Sequence, residues 1–403
     1  MPAAHLAGAA TAAPATAPES TTPARPGGRL AFVYLLNVVS SLAVVYLHVS
    51  LEVFDPQHAG QWPLALALQA GCIFAVPVFF MVSGMNLIGY RDRYSTATFV
   101  RKRVARVGVA LVASSLVCYL LFALLPDYFW GAERIATTAS PLDFLYRLLS
   151  NQINDVYWFL YAIIALYVLT PLISLAAHRR RVLEYIIACC LVVSVTLPLA
   201  KRLGVPPETL DNLLGWPLFS DVWLLYYLLG YYLAQYVLPN VRSKGLLGAG
   251  ALVAYVASAI GMYELGLVTN GLPPIPPVPG ASSHLVGLLP QAYDSYAAST
   301  TDPLCVVEAV SVFVLGASLE GWLQRHAGLT NKLLRTMSGA ALGVYLFHIP
   351  LIYWISRAAE RGIRGFGWLQ RHMLVRGLVV YAVTMAWVVA VRAVRTAIGR
   401  ARR

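Results

Sequence analysis

Residues 31–50 read AFVYLLNVVSSLAVVYLHVS, twenty positions without one Asp, Glu, Lys or Arg. A helix rises 1.5 Å per residue, so about 20 such residues cross the hydrocarbon core of a bilayer. Comparable runs recur at roughly 66–89, 104–125, 157–177, 182–200, 219–238, 246–266, 304–323, 338–356 and 375–395. The repetition predicts an all-α, polytopic membrane bundle of about ten transmembrane helices in the lipid bilayer. Composition agrees, because the 403 residues are 59% hydrophobic and only 12% charged, against roughly 25% charged in soluble domains.

The formal charge of +12 raises the question of nucleic acid. No soluble domain carries a basic stretch interleaved with exposed aromatics, so no nucleic-acid partner is expected. Topology accounts for the charge instead. With the N-terminus in the cytoplasm, 21 of the 30 Lys and Arg fall on the inner side, while 14 of the 18 acidic residues fall outside. Cytoplasmic loops collect basic residues, so both termini are expected to be cytoplasmic. Residues 357–376 run against this rule, with Arg357, Arg361, Arg364, Arg371 and Arg376 on the outer side. Residues 1–28 are rich in Ala, Pro and Thr and lack a signal-peptide pattern, so they read as a disordered tail. The membrane domain is expected over 29–396, with a basic cytoplasmic tail at 397–403. Two longer outer loops are expected at 126–156 and 267–303. The five cysteines lie in or beside apolar runs with no CxxC pair, which suits packing, and no metal site is expected.

Ionisable groups inside spans are costly and therefore candidates for function. They are His48, Asp221, Glu308 and His348, of which Asp221 and Glu308 sit near outer helix ends where they can reach water. Glu52 lies one turn beyond His48 and shares its face if the helix continues. A carboxylate there could hold the imidazole in one tautomer and support a general base; a buried structural histidine is the alternative. His348, in Val344-Tyr345-Leu346-Phe347-His348-Ile349-Pro350, precedes a proline that should free backbone carbonyls. Arg101, Arg103 and Arg106 open the third span. Arg103 and Arg106 are three apart on one face and could grip a phosphate, although such a cluster also serves as a topology signal. Tyr226, Tyr227, Tyr231, Tyr232 and Tyr236 could form an interfacial belt or a polar lining.

Five segments in order resemble the acyltransferase-3 family of membrane O-acyltransferases, especially those that acetylate surface glycans. They are Val44–His48, the block Val76-Pro77-Val78-Phe79-Phe80-Met81-Val82-Ser83-Gly84, Phe99–Arg106, Trp158–Pro171 and Gly343–Pro350. The resemblance covers roughly residues 31–395. It implies transfer of an acyl group, usually acetyl from acetyl-CoA, to a hydroxyl of a glycan or lipid-linked sugar, in the cytoplasmic membrane of a bacterium. It maps the catalytic histidine to His48 and a donor-phosphate site to Arg103 and Arg106, with Ser83 available to the thioester or its oxyanion. Direct attack on the thioester and an acyl-histidine route both remain open, as does homo-oligomer formation. One departure stands out: relatives usually carry an arginine eleven residues before the histidine, where this chain has Asn37. The rival reading is an exporter or flippase of polysaccharide or lipid-linked sugar, which would not depend on acyl-CoA.

Overall fold

The computed structural model describes residues 30–54, 60–206, 208, 210, 219–270, 299–326 and 328–401. The tail expected at 1–28 and most of the 267–303 segment lie outside the described residues. The elements are helical throughout: α1 (Ala31–Val49), α2 (Trp62–Cys72), α3 (Ala75–Leu87), α4 (Thr96–Leu124), α5 (Glu133–Ala136), α6 (Pro141–Leu149), α7 (Trp158–Ile173), α8 (Arg180–Leu191) and α9 (Leu197–Arg202). They continue as α10 (Val222–Tyr232), α11 (Lys244–Thr269), α12 (Pro303–Ser318), α13 (Glu320–Arg325), α14 (Leu329–Glu360), α15 (Phe366–Arg371) and α16 (Met373–Ala401). Among the described residues, nine helical segments are long and apolar enough to cross a membrane. The run expected as a sixth span is helical too: α10 passes into a π turn, Leu233–Val237, and then a 3-10 turn, Leu238–Asn240, but with its tyrosines it is not among the nine. The basic end set apart at 397–403 begins as a continuation of α16, which runs to Ala401.

Prolines set the interruptions. Pro77 cannot donate to the carbonyl four residues back, and the second span divides there into α2 and α3. Pro198 likewise follows the π turn Val192–Thr196 that joins α8 to α9. Helix α1 is the centre of the bundle and packs against α2, α3, α12, α14 and α16. It buries Phe32, Leu36, Ser40, Ser41, Val44 and Val45 among other residues. Helix α10 lies against α3 at two reciprocal glycines. A Cβ on Gly84 would stand 1.7 Å from the Tyr227 carbonyl oxygen, and one on Gly230 would stand 2.0 Å from that of Met81. The five tyrosines of this helix and its π turn are bundle anchors. Tyr226 donates to Thr300 O, Tyr227 meets Thr170 Oγ1, Tyr231 and Tyr236 donate to Ala177 O, and Tyr232 donates to Glu184.

Three of the five arginines in the loop that defied the charge rule are paired in place. Arg357 meets Glu133 and Glu360, Arg361 lies 3.7 Å from Asp127, and Arg376 lies 3.0 Å from Glu52. Two span-end acids are helix caps: Asp221 accepts from Trp223 N at 2.9 Å and Asp302 from Leu304 N at 2.6 Å. Glu308 is fully buried, and neither carboxylate oxygen has a hydrogen-bond partner among the described residues.

Candidate active site at a histidine pair

Helix α1 ends at Val49 because Ser50 leaves the helical region (φ −110°, ψ 31°). His48 therefore stands on the last turn, half-buried against α14. His348 faces it, fully buried. The His348 Nε2 to His48 Nδ1 distance is 3.3 Å, and the ring centroids are 4.9 Å apart at 63°.

Hydrogen-bond bookkeeping fixes the tautomers. His348 Nδ1 faces two carbonyl oxygens, Val344 at 3.0 Å and Tyr345 at 2.8 Å. Carbonyls only accept, so this nitrogen carries the proton and Nε2 of the neutral ring has a lone pair. His48 Nδ1 then faces two acceptors, that lone pair and Val44 O at 2.8 Å, so it too carries its proton. Neutral His48 is left with its lone pair on Nε2, the nitrogen free to take a proton from a substrate.

Pro350 contributes as the sequence suggested. It leaves Leu346 O without its helical donor, and Tyr157 OH fills the place at 3.0 Å. Tyr345 OH donates in return to Val156 O. The start of α7 is thereby tied to the histidine-bearing turn of α14.

Two cavities lie along α1, one of them at this pair. One, of about 260 Å³, is lined by His48, Asn154, Asp155, Trp158, Ile349 and Tyr353, among others. The Asp155 carboxylate is within electrostatic reach of His48. Asn154, in the wall of this cavity, is 2% exposed. The other cavity, of about 190 Å³, lies toward the opposite end of α1 and is lined by Asn37, Ser83, Phe159, Tyr167, Ser338 and Tyr345, among others. Asn37 Nδ2 donates to Ser338 Oγ at 3.0 Å. Eleven residues of helix separate Asn37 from His48, about 16 Å. Tyr345, one turn before His348, lines the cavity at the Asn37 end.

The sequence-predicted residues part company here. His48 and His348 come together. Glu52 does not join them: with α1 ended, it sits on a separate turn, Leu51–Phe54, and pairs with Arg376. A carbonyl and a second imidazole, not a carboxylate, hold His48 Nδ1. Ser83 lies beside Tyr167 in the Asn37-end cavity, away from the histidines, while the adjacent Gly84 makes the close helix contact. Of the basic cluster, Arg103 turns inward, close enough to act electrostatically on Tyr167 and Tyr227, with its Nε buried and without a partner among the described residues. Arg101 and Arg106 are exposed. Asn154, Tyr157, Gln69 and Arg376 went unremarked or unexplained in the sequence reading. Gln69 and Arg376 had a signal, a lone amide in an apolar run and a cation on the wrong side of the charge rule.

Among the described residues no group of three or more His, Cys, Asp or Glu is arranged to hold a metal ion. Residues 31–392 match a family model described as an acyltransferase domain. No curated protein and no solved structure matches the chain.

Proposed function

The chain belongs to the acyltransferase-3 family, a multi-pass membrane acyltransferase, and from that premise we propose that it moves acetyl from acetyl-CoA to a hydroxyl of a surface glycan or lipid-linked sugar. The observation that carries the reading is the histidine pair, whose hydrogen bonds leave a basic Nε2 on His48 at the wall of a cavity. In this reading the termini and the Arg103 end of the bundle face the cytoplasm, and the His48 end faces outward. The acyl donor enters at Arg103, whose buried Nε, without a partner among the described residues, suits a phosphate. The pantetheine arm, with its neutral amides, follows the cavity of Asn37, Ser83 and Ser338, where the lining side chains carry no charge.

The acceptor occupies the His48 cavity. His48 Nε2 takes the hydroxyl proton as the oxygen attacks the thioester carbonyl carbon. The tetrahedral intermediate collapses, the C–S bond breaks, and the thiolate recovers the proton from His48. The transient imidazolium is stabilised by Val44 O, by His348 Nε2 and by the nearby Asp155 carboxylate. Nothing in this cycle requires a covalent acyl-histidine.

The test is acetyl transfer to glycan acceptor by the protein in lipid nanodiscs, followed by mass spectrometry. Transfer is expected to need acetyl-CoA and to fall about 100- to 10,000-fold in folded His48→Ala. Movement of glycan across vesicles without acetyl-CoA, and no acetylated product, would replace the enzyme reading with a transporter.

A further inference from the structure

The last carbonyls of a helix have no intrahelical donor, and inside a membrane each unsatisfied one is costly. At the end of α1 the missing donors arrive from three directions. Ser50 Oγ donates back to Tyr46 O at 2.7 Å. Gln69 Nε2, from α2, reaches Leu47 O at 2.7 Å and Ser50 Oγ at 2.9 Å. Arg376 Nη2, from α16, caps Val49 O and meets Glu52 Oε1 at 3.0 Å. Gln69 is 4% and Arg376 3% exposed. The carbonyls immediately before and after His48 are thus each held by a side chain from a different helix. Tyr46 OH donates to Leu374 O at 3.1 Å, and its ring lies where a Cβ on Gly377 would fall, so α16 is pressed against this turn.

We infer that Gln69 and Arg376 are positioning residues that clamp the terminal turn of α1 and thereby set the direction of His48 toward His348 and the acceptor cavity. The inference rests on the reading of His48 as the base. Neither clamp residue touches the imidazole; both act on the backbone that carries it. A 3.3 Å contact between two rings on different helices tolerates little movement of that backbone, and misplacement of a catalytic group by about 1 Å can cost 100-fold in rate. Glu52 holds Arg376 from the far side and touches no carbonyl of α1, so its contribution is the smaller.

The experiment compares the full-length parent with Arg376→Gln, Arg376→Lys, Gln69→Leu and Glu52→Gln in nanodiscs. The rate at which diethyl pyrocarbonate modifies His48 is read by peptide mass spectrometry, with exposed His178 as internal reference. Arg376→Gln and Gln69→Leu are expected to speed His48 modification severalfold and leave His178 unchanged. They should lower kcat about 10- to 100-fold with KM for acetyl-CoA unchanged. Arg376→Lys, long enough to keep a charged donor on Val49 O where the shorter Gln amide falls short, and Glu52→Gln should stay near the parent in both readouts. Unchanged His48 reactivity in both clamp variants overturns the proposal. So does a loss of yield or thermal stability with parental kcat per folded molecule, the signature of a merely structural role. The reactivity measurement needs no acyl donor. A parent that transfers no acetyl group would remove the functional reading while leaving the clamp to be decided by His48 reactivity alone.

Discussion

His348 acts on His48 through a single lone pair, and that makes the two histidines unequal. Without the His348 acceptor, the His48 ring keeps only Val44 O to hold its Nδ1 proton and can rotate away from the cavity. His348→Ala is therefore expected to lower kcat on the order of 10- to 100-fold, by analogy with loss of the partner that orients a metal-bound histidine. His48→Ala should cost more. Steady-state transfer per folded molecule checks the order; equal losses would mean that both rings handle the substrate proton. The arginines are unequal as well. Arg103→Ala is expected to weaken acetyl-CoA binding about 10- to 100-fold, the range for a charge-assisted hydrogen bond, whereas Arg106→Ala, exposed in the structure, should bind near the parental level. Calorimetric titration of both variants separates them. At this scale each histidine could be picked from the sequence, as an ionisable group in an apolar run. Their partnership could not, because 300 positions separate them and no local periodicity encodes which turns of two distant helices meet. Glu52 failed for a non-local reason too: the end of α1 at Val49 is capped by donors from Gln69 and Arg376, from elsewhere in the chain.

Among the elements, the contact between α3 and α10 is the tightest constraint. Gly84→Ala would place a methyl group on the Tyr227 carbonyl, and backbone cannot yield as a side chain does. Overpacking of this kind costs typically about 1–3 kcal/mol or more, so the variant should lose folded yield and thermal stability. Gly108→Ala on α4, with nothing within 4 Å of its Cβ, should match or exceed the parent, since Ala is the better helix former. Thermal unfolding of both in detergent checks the contrast. The short helix α6 is held by a different device. It turns Leu142, Leu145, Tyr146 and Leu149 outward and ties its polar face to the bundle through Asp143. Burial opposes ionisation of this carboxyl, but hydrogen bonds from Tyr119, Arg147 and Thr138 outweigh it and hold Asp143 below the ordinary carboxylate range. A depressed folded-state pKa gives stability above the unfolded value that is lost as pH falls through the folded one. Asp143→Asn should thus melt below the parent at neutral pH, and the gap should close below about pH 4. A gap independent of pH would show that the loss is one of packing. The spans themselves were legible, because hydropathy and length dictate a bilayer helix directly. Their breaks were less so: Pro77 and Pro198 mark them, but Pro350 has the same missing donor and leaves α14 helical through Glu360, since Tyr157 supplies a hydrogen bond to the freed carbonyl.

At the scale of the whole molecule the apolar surface is turned outward. Val109, Val168, Leu172, Leu246 and Val253 are all exposed on helices long enough to span a bilayer, as expected where lipid tails, not water, are the solvent. The architecture alone does not orient the bundle; charge does. Arg91, Arg93, Arg101 and Lys102 are exposed at the end that also carries Arg103, and only Asp92 offsets them within 90–103. At the His48 end three of the five arginines of 357–376, Arg357, Arg361 and Arg376, pair with Glu52, Asp127, Glu133 and Glu360. The positive-inside rule counts Lys and Arg, not net charge, so this loop still runs against the orientation, which rests on the 21 of 30 basic residues on the inner side. We expect a cysteine replacing exposed Ala97 to be sheltered from a membrane-impermeant maleimide in intact cells, and one replacing exposed Arg364 to be modified. The native cysteines, buried or half-buried within the helices, set the background in the parent. Permeabilised cells should label both sites, which controls for local accessibility. If Ala97→Cys is labelled from outside and Arg364→Cys is not, the bundle is inverted. The His48 cavity would then open to the cytoplasm, and the acceptor would have to be a cytoplasmic precursor in place of a surface glycan.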